Sequence, residues 1–143
     1  MRSLLPRLLY AIGLGSLVGR LVLLLTTTGR KTGRQRITAV GYEQMQGEFY
    51  LPSVIRGVQS DWYQNAKANP HVHIRVGTRE FDGLAEPVTE VRRIVEVIQC
   101  GLRRHPWISG VFFAIQGLPG KPSREDLEAY AAKIAMLTVR PEA

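Results

Sequence analysis

Thr26-Thr27-Thr28-Gly29-Arg30-Lys31-Thr32-Gly33-Arg34-Gln35-Arg36 joins the apolar run Leu21 to Leu25 to a stretch that opens with Ile37 and Thr38. An apolar run that stops at a Gly-containing turn reads as a buried strand, and the β-branched residues beyond it read as its partner. The segment between is therefore a basic turn joining two strands. Four cations, Arg30, Lys31, Arg34 and Arg36, fall within seven residues of it. Such a turn offers backbone N–H groups and fixed positive charge to an anion, usually a phosphate. The same residues also suit a solvated hairpin tip whose cations discourage edge-to-edge pairing.

Charge placement favours the first reading. No Asp or Glu precedes Glu43, whereas Arg2, Arg7, Arg20, Arg30, Lys31, Arg34 and Arg36 all do. Those seven cations equal the whole formal net charge of +7, so the rest of the chain balances to zero. Positive charge gathered at one end implies an anionic partner there. A phosphorylated small molecule, an anionic lipid surface and nucleic acid all qualify in principle. Nucleic acid fits least, because the basic patch comes with no recognition helix and no stacked aromatics in register.

At 143 residues the chain is read as one domain, 1–143, long enough to close a core without metal or disulfide. A single cysteine, Cys100, fits a reducing compartment, so a cytoplasmic location is expected. Residues 1–20 are leucine-rich, but Arg7 and Arg20 interrupt them and no small-residue cleavage pattern follows. A spanning helix needs about 20 uninterrupted apolar residues. Leu4 to Val18 is read instead as a helix covering the open side of a sheet, with peripheral membrane docking as the functional alternative.

Beyond the basic turn, Gln35 to Gln44 is expected as one strand, with Gln46-Gly47 turning into the next strand, Glu48 to Ile55. Ser60 or Asp61 caps a helix that Asn69-Pro70 stops. His71 to Phe81 and Leu84 to Val88 read as two strands around an Asp82-Gly83 hairpin turn. Val91, Ile94, Val95, Ile98 and Leu102 recur at helical spacing within Thr89 to Arg104. Trp107 to Leu118 is a short helix or an irregular lid. Ser123-Arg124-Glu125-Asp126 opens another helix, and Ala135 to Arg140 forms the last strand.

Enzyme motifs of the usual kinds are missing: there is no dinucleotide fingerprint, no Walker loop and no nucleophile elbow. His71 and His73 share one face of a strand but find no third ligand nearby, so no metal is expected. Cys100 reads as packing. Tyr42, Tyr50 and Tyr63 would line one pocket if the sheet curls into a barrel, and Trp62 serves equally as a core anchor.

Three motifs carry a resemblance. Thr26 to Arg34, then Asp61-Trp62-Tyr63-Gln64-Asn65, then Ala68-Asn69-Pro70 with Val72, resemble in order and spacing the deazaflavin-dependent nitroreductase and quinone reductase family. The likeness covers about residues 18 to 90. It departs at Gln35 and Ala39, where members often carry proline, and Pro52 to Gly57 lacks their Lys-Gly-Gly run. The resemblance implies an α+β fold, a split β-barrel of the FMN-binding kind with about six mostly antiparallel strands and flanking helices. It implies coenzyme F420, an 8-hydroxy-5-deazaflavin with a phosphodiester and an oligoglutamate tail, with FMN or FAD as the alternative. Arg30, Lys31 and Thr32 would contact the phosphate and acidic tail. Arg36 and Ile37, Thr38, Ala39 and Val40 would pass along the ring. Ser53 would lie near phosphate or ring, and Asp61, Trp62, Tyr63 and Asn65 would close the other side. Tyr42, Tyr63 and Tyr130 are the candidates beside the reacting centre. The implied activity is hydride transfer from the reduced coenzyme to a hydrophobic acceptor: a quinone, a nitroaromatic or an activated alkene. A non-catalytic coenzyme carrier or membrane-surface protein is the alternative class, and both monomer and homodimer are open.

Overall fold

The computed structural model describes residues 22–53, 56–104 and 122–142. The expected helix within 1–20 and the Trp107 to Leu118 segment lie outside them. Among the described residues there are seven strands and three α-helices. In chain order these are β1 (Val22–Thr28), β2 (Gln35–Gly41), β3 (Glu43–Met45), β4 (Glu48–Ser53), α1 (Asp61–Ala68), β5 (His71–Val76), β6 (Arg79–Pro87), α2 (Val91–Arg104), α3 (Arg124–Ala131) and β7 (Ala135–Pro141). A short 3-10 turn, Gly57–Gln59, leads into α1.

The strands form one sheet in the order β2-β1-β5-β6-β7-β4-β3, and every pairing is antiparallel. β2 and β3 are separated by Tyr42 alone yet occupy opposite edges of that sheet. The sheet must therefore curl until its edges meet, which makes it a half-barrel. The single strand expected over Gln35 to Gln44 is in fact two strands that leave the corner at Tyr42 in different directions.

Period-two alternation decides what faces the barrel interior. Leu23, Leu25 and Thr27 of β1 point inward, and Val22, Leu24, Thr26 and Thr28 point out. The interior is filled by Leu23, Leu25, Val40, Phe49, Leu51, Val72, Ile74, Ala85, Leu137 and Val139, with Tyr63 and Ala66 of α1 against them. Each fully buried leucine or isoleucine there stabilises by about 1.5–3 kcal/mol. On the outer face of β4 and β7, Tyr50 and Met136 are covered by α2 and α3 through Ile94, Val95, Val97, Ile98, Leu127 and Tyr130. Arg93 ties α2 down, donating from Nε (3.1 Å) and Nη2 (2.6 Å) to the Tyr50 hydroxyl. Ser123 begins α3 with a reciprocal capping box to Asp126. Val91, expected inside, is 37% exposed at the first turn of α2, and Val97 is buried in its place.

The Asp82-Gly83 hairpin is overturned. β6 runs straight through both residues, and the chain reverses at Gly77, whose φ is +59°. Gly83 is there for close approach: a Cβ on it would lie 2.5 Å from Val139 Cγ1 and 3.0 Å from the Arg140 carbonyl oxygen. Asp82 faces out, opposite His73, and accepts from the His73 ring at 2.9 Å, while Glu80 takes the other ring nitrogen at 3.1 Å. With Gln46 at φ +53° and Gly47 at +80°, the expected turn between β3 and β4 does form.

Gly83→Ala should lower stability by about 1–3 kcal/mol, because the neighbour is a packed strand rather than a flexible tip; urea unfolding checks it, and an unchanged midpoint would refute the close-approach reading. Hydrogen bonds to Asp82 and then Glu80 raise the His73 pKa above its usual 6.5. That stabilisation is complete below about pH 6.5 and fades as pH rises through the raised folded value. The unfolding midpoint should fall as pH rises above about 6.5, and His73→Gln should flatten that dependence.

Candidate functional site

The basic turn is closed by its own backbone. The Gly29 N–H donates to the Arg34 carbonyl at 2.7 Å, and the Gly33 N–H donates to the Gly29 carbonyl at 2.8 Å. The Arg34 N–H donates to Thr32 Oγ1 at 3.2 Å. Gly33 takes φ +71°, a conformation that favours glycine. A tight loop results, with Lys31, Arg34 and Arg36 exposed around it.

Arg30 behaves differently from the other three cations. Its backbone N–H donates to Asn65 Oδ1 at 3.1 Å, and its Nη1 donates to the same oxygen at 2.7 Å. Nη2 meets Asp61 Oδ1 at 3.3 Å, and Nη1 reaches the Asp61 carbonyl at 3.5 Å. Asn65 is only 4% exposed, and its Nδ2 approaches the buried Thr27 hydroxyl at 3.5 Å. One amide side chain thus joins α1, the basic turn and the inner face of β1. Thr27 is the member of this group that sequence reasoning missed. Its signal was a hydroxyl at the inward position that Leu23 and Leu25 occupy earlier on the same strand.

Ser53, at the end of β4, is 4% exposed. Its Oγ donates to the Gly57 carbonyl at 2.7 Å and lies 2.5 Å from the Ser60 Oγ. With the Ser53 proton directed at Gly57, Ser60 is the donor of that pair. Ser60 precedes α1 without a side-chain cap, because its hydroxyl is used here. The bracket holds the start of α1 against β4. Trp62 is half-buried beside the barrel interior and meets Tyr63 edge-on at 6.4 Å. Burial raises the Tyr63 pKa, so its hydroxyl keeps its proton at neutral pH.

The pleat of β2 divides the residues expected along the ring. Arg36, Thr38 and Val40 pair with Thr27, Leu25 and Leu23, so they share the barrel-facing side. Ile37 and Ala39 point the other way, and Ile37 is 57% exposed. Tyr42 lies at the far end of β2 from the turn, about 20 Å along the strand by its rise per residue. There it packs on Phe49 at 5.7 Å, and Phe49 packs on Phe81 at 5.2 Å. Tyr50 does not join Tyr42 and Tyr63 in one pocket; it lies on the outer face, beneath α2 and α3. Tyr130 is packed there too, and burial pushes its pKa up to about 12. The structure therefore brings together Arg30, Asp61 and Asn65, with Lys31 and Thr32 on the same turn, and leaves Tyr42 and Tyr130 apart from them.

Cys100 is buried on α2 with its Sγ 3.9 Å from Glu43 Oε1. Among the described residues no cluster of His, Cys, Asp or Glu is arranged to hold a metal ion, and no helix is long and apolar enough to cross a membrane.

The profile of F420H(2)-dependent quinone reductases matches residues 11–98, which include the basic turn, β2 and all of α1. The chain belongs to this family. An F420H(2)-dependent quinone reductase of Mycobacterium tuberculosis strain H37Rv and a putative one of Mycobacterium bovis are each 44% identical to it over 69 residues. Those matches cover 46% of this chain and 46% of each relative, so the likeness spans about half the length of the curated relatives. Among solved structures, an F420-H2-dependent reductase superposes with a TM-score of 0.56 at 22% identity, covering 85% of this chain and 95% of the other. The haem storage protein HutZ of Vibrio cholerae superposes at 0.58 and 19% identity, covering 87% and 83%. At such identities the structures show a shared split-barrel fold, and they agree with the α+β barrel that the motifs imply.

Ser53→Ala should cost about 1–3 kcal/mol by orphaning Ser60 Oγ and the Gly57 carbonyl together. Faster amide exchange across residues 57–62 with β5 and β6 unchanged would confirm the bracket; uniform protection would refute it.

Proposed function

We propose that the protein is an oxidoreductase that binds coenzyme F420 through the basic turn and reduces a quinone or similar hydrophobic acceptor. The observation that carries this reading is the state of the cations. Lys31, Arg34 and Arg36 make no ion pair among the described residues, although they stand close together in sequence and exposed. Unneutralised charge held on a rigid loop is costly to assemble unless an anion completes it. A phosphodiester and a string of carboxylates are such an anion, so the residues present fit the coenzyme.

In this reading Lys31, Arg34 and Arg36 grip the acidic end, with the Thr32 and Thr38 hydroxyls as further donors. Held at the turn, the ligand has β2 leading away from it, where Arg36, Thr38 and the aromatic corner of Tyr42 offer a surface for a ring. Ile37 and Ala39, on the other side of the pleat, contribute to the outer surface. Trp62 shields the mouth beside α1, and Ser53 keeps that helix in place. When bound, the reduced deazaflavin supplies a hydride. The chain itself then needs neither a nucleophile nor a metal. Its work is to fix orientation and exclude water, and the buried Tyr63 hydroxyl, two residues from both Asp61 and Asn65 in sequence, is the candidate proton donor.

Fluorescence titration of the purified protein with F420 should give saturable binding, with FMN binding far more weakly. Lys31→Glu and Arg36→Glu should each weaken F420 binding by about tenfold or more, since each reverses a charge beside an anion. Turnover of reduced F420 with a short-chain naphthoquinone then tests the activity. F420 affinity indifferent to both reversals would end the proposal.

A further inference from the structure

Arg30 stands first among the cations of the motif, and by the resemblance it would contact the coenzyme's phosphate. Its backbone N–H and both terminal guanidinium nitrogens are already engaged. The backbone N–H and Nη1 share Asn65 Oδ1 at 3.1 and 2.7 Å, and Nη2 faces the Asp61 carboxylate at 3.3 Å. The Asn65 amide is in turn buried, with Nδ2 directed at Thr27. Gly29, just before Arg30, has little free space, since a Cβ there would meet Thr32 Oγ1 and the Arg34 carbonyl at 3.1 Å each. The turn is thus braced from inside by α1 and from within by its own backbone.

We infer that Arg30 is a strut rather than a ligand: Asn65 and Asp61 hold it, and through it they set the shape of the basic turn, leaving anion contact to Lys31, Arg34 and Arg36. Asn65 is the positioning residue of this arrangement. The inference rests on the coenzyme reading above and divides the motif's cations into two roles. The pairing with Asp61 also offsets part of the Arg30 charge, although that carboxylate is itself 77% exposed. A guanidinium fork suits this task better than an ammonium, since one planar group satisfies the Asn65 oxygen and the Asp61 carboxylate together.

Salt dependence separates the two roles. A cation that touches the ligand's charges contributes to the fall in affinity with ionic strength, whereas a strut does not. F420 binding is measured by fluorescence from about 20 to about 500 mM KCl, a range over which screening lengths shrink severalfold. Lys31→Ala should raise Kd and give a shallower salt slope than the native chain. Asn65→Ala should raise Kd about tenfold while keeping the native slope, and its kcat at saturating coenzyme should stay within a factor of about three. The charge-balanced pair Arg30→Gln with Asp61→Asn should likewise keep the native slope. If that double variant flattens the slope as Lys31→Ala does, Arg30 touches the anion and the inference is overturned.

A second readout needs no coenzyme. The Arg30 amide should exchange slowly in the native chain, because Asn65 accepts its hydrogen bond, and Lys31 next to it should exchange fast. Asn65→Ala should release that protection. Asn65→Asp keeps an acceptor oxygen and should retain it, which guards against a variant that merely misfolds. An Arg30 amide as fast as that of Lys31 in the native chain would refute the clamp. A protected Arg30 in a protein that binds no F420 would instead refute the coenzyme reading and uphold the clamp.

Discussion

A link of one residue governs this molecule. Tyr42 joins β2 to β3, and those strands sit at opposite edges of a seven-stranded order. A flat sheet cannot satisfy that connection, because its edges would lie several strand spacings apart, at about 4.8 Å each. Curling brings the edges together and creates an interior, and that interior collects Leu23, Leu25, Phe49, Leu51, Ile74, Leu137 and Val139. The aromatic contacts of Phe49 with Tyr42 and Phe81 then pack the region around the corner. Gly83 belongs to the same constraint. Where β6 and β7 press together inside the curl, no side chain fits.

Closure leaves α1 to one task, which is to cover the mouth near the basic turn. The helix contributes Tyr63 and Ala66 to the core and Asn65 and Asp61 to the turn. Apolar burial supplies most of the stabilisation, and the polar contacts supply direction. A buried amide such as Asn65 is costly to leave unsatisfied, so its bonds to Arg30 and Thr27 select one register between helix and turn. The result is a loop whose remaining cations are exposed but not adrift. A binding site for a polyanion benefits from that combination, since rigid charge loses less entropy on binding than charge on a flexible tail.

Family membership and fold answer different questions here. The barrel is shared with a reductase and with a haem storage protein at comparable superposition, so architecture by itself does not choose a ligand. The family profile covers the motif on the turn and its tie to α1. On the outer face, Arg93 of α2 binds the Tyr50 hydroxyl, and α2 and α3 cover β4 and β7.

Strand parity, the amphipathic spacing of α2, the capping box at Ser123 and the cation cluster of residues 30–36 were legible in the sequence, because each is set by neighbours within a few positions. Those signals sufficed for strands flanked by helices and for a cation-rich turn, while the barrel came with the family motifs. Pairing across the chain was not legible. Asp82-Gly83 has the composition of a hairpin turn, and only the crossing of β7 shows that its glycine answers to crowding instead. Tyr50 alternates with the inward Phe49 and Leu51 and faces α2, because parity says which residues alternate and not that the second side is covered as well. Arg30 and Lys31 are adjacent cations in one motif, and nothing local distinguishes them. Their separate roles depend on a helix 35 residues further on, which meets the turn only after the sheet has curled.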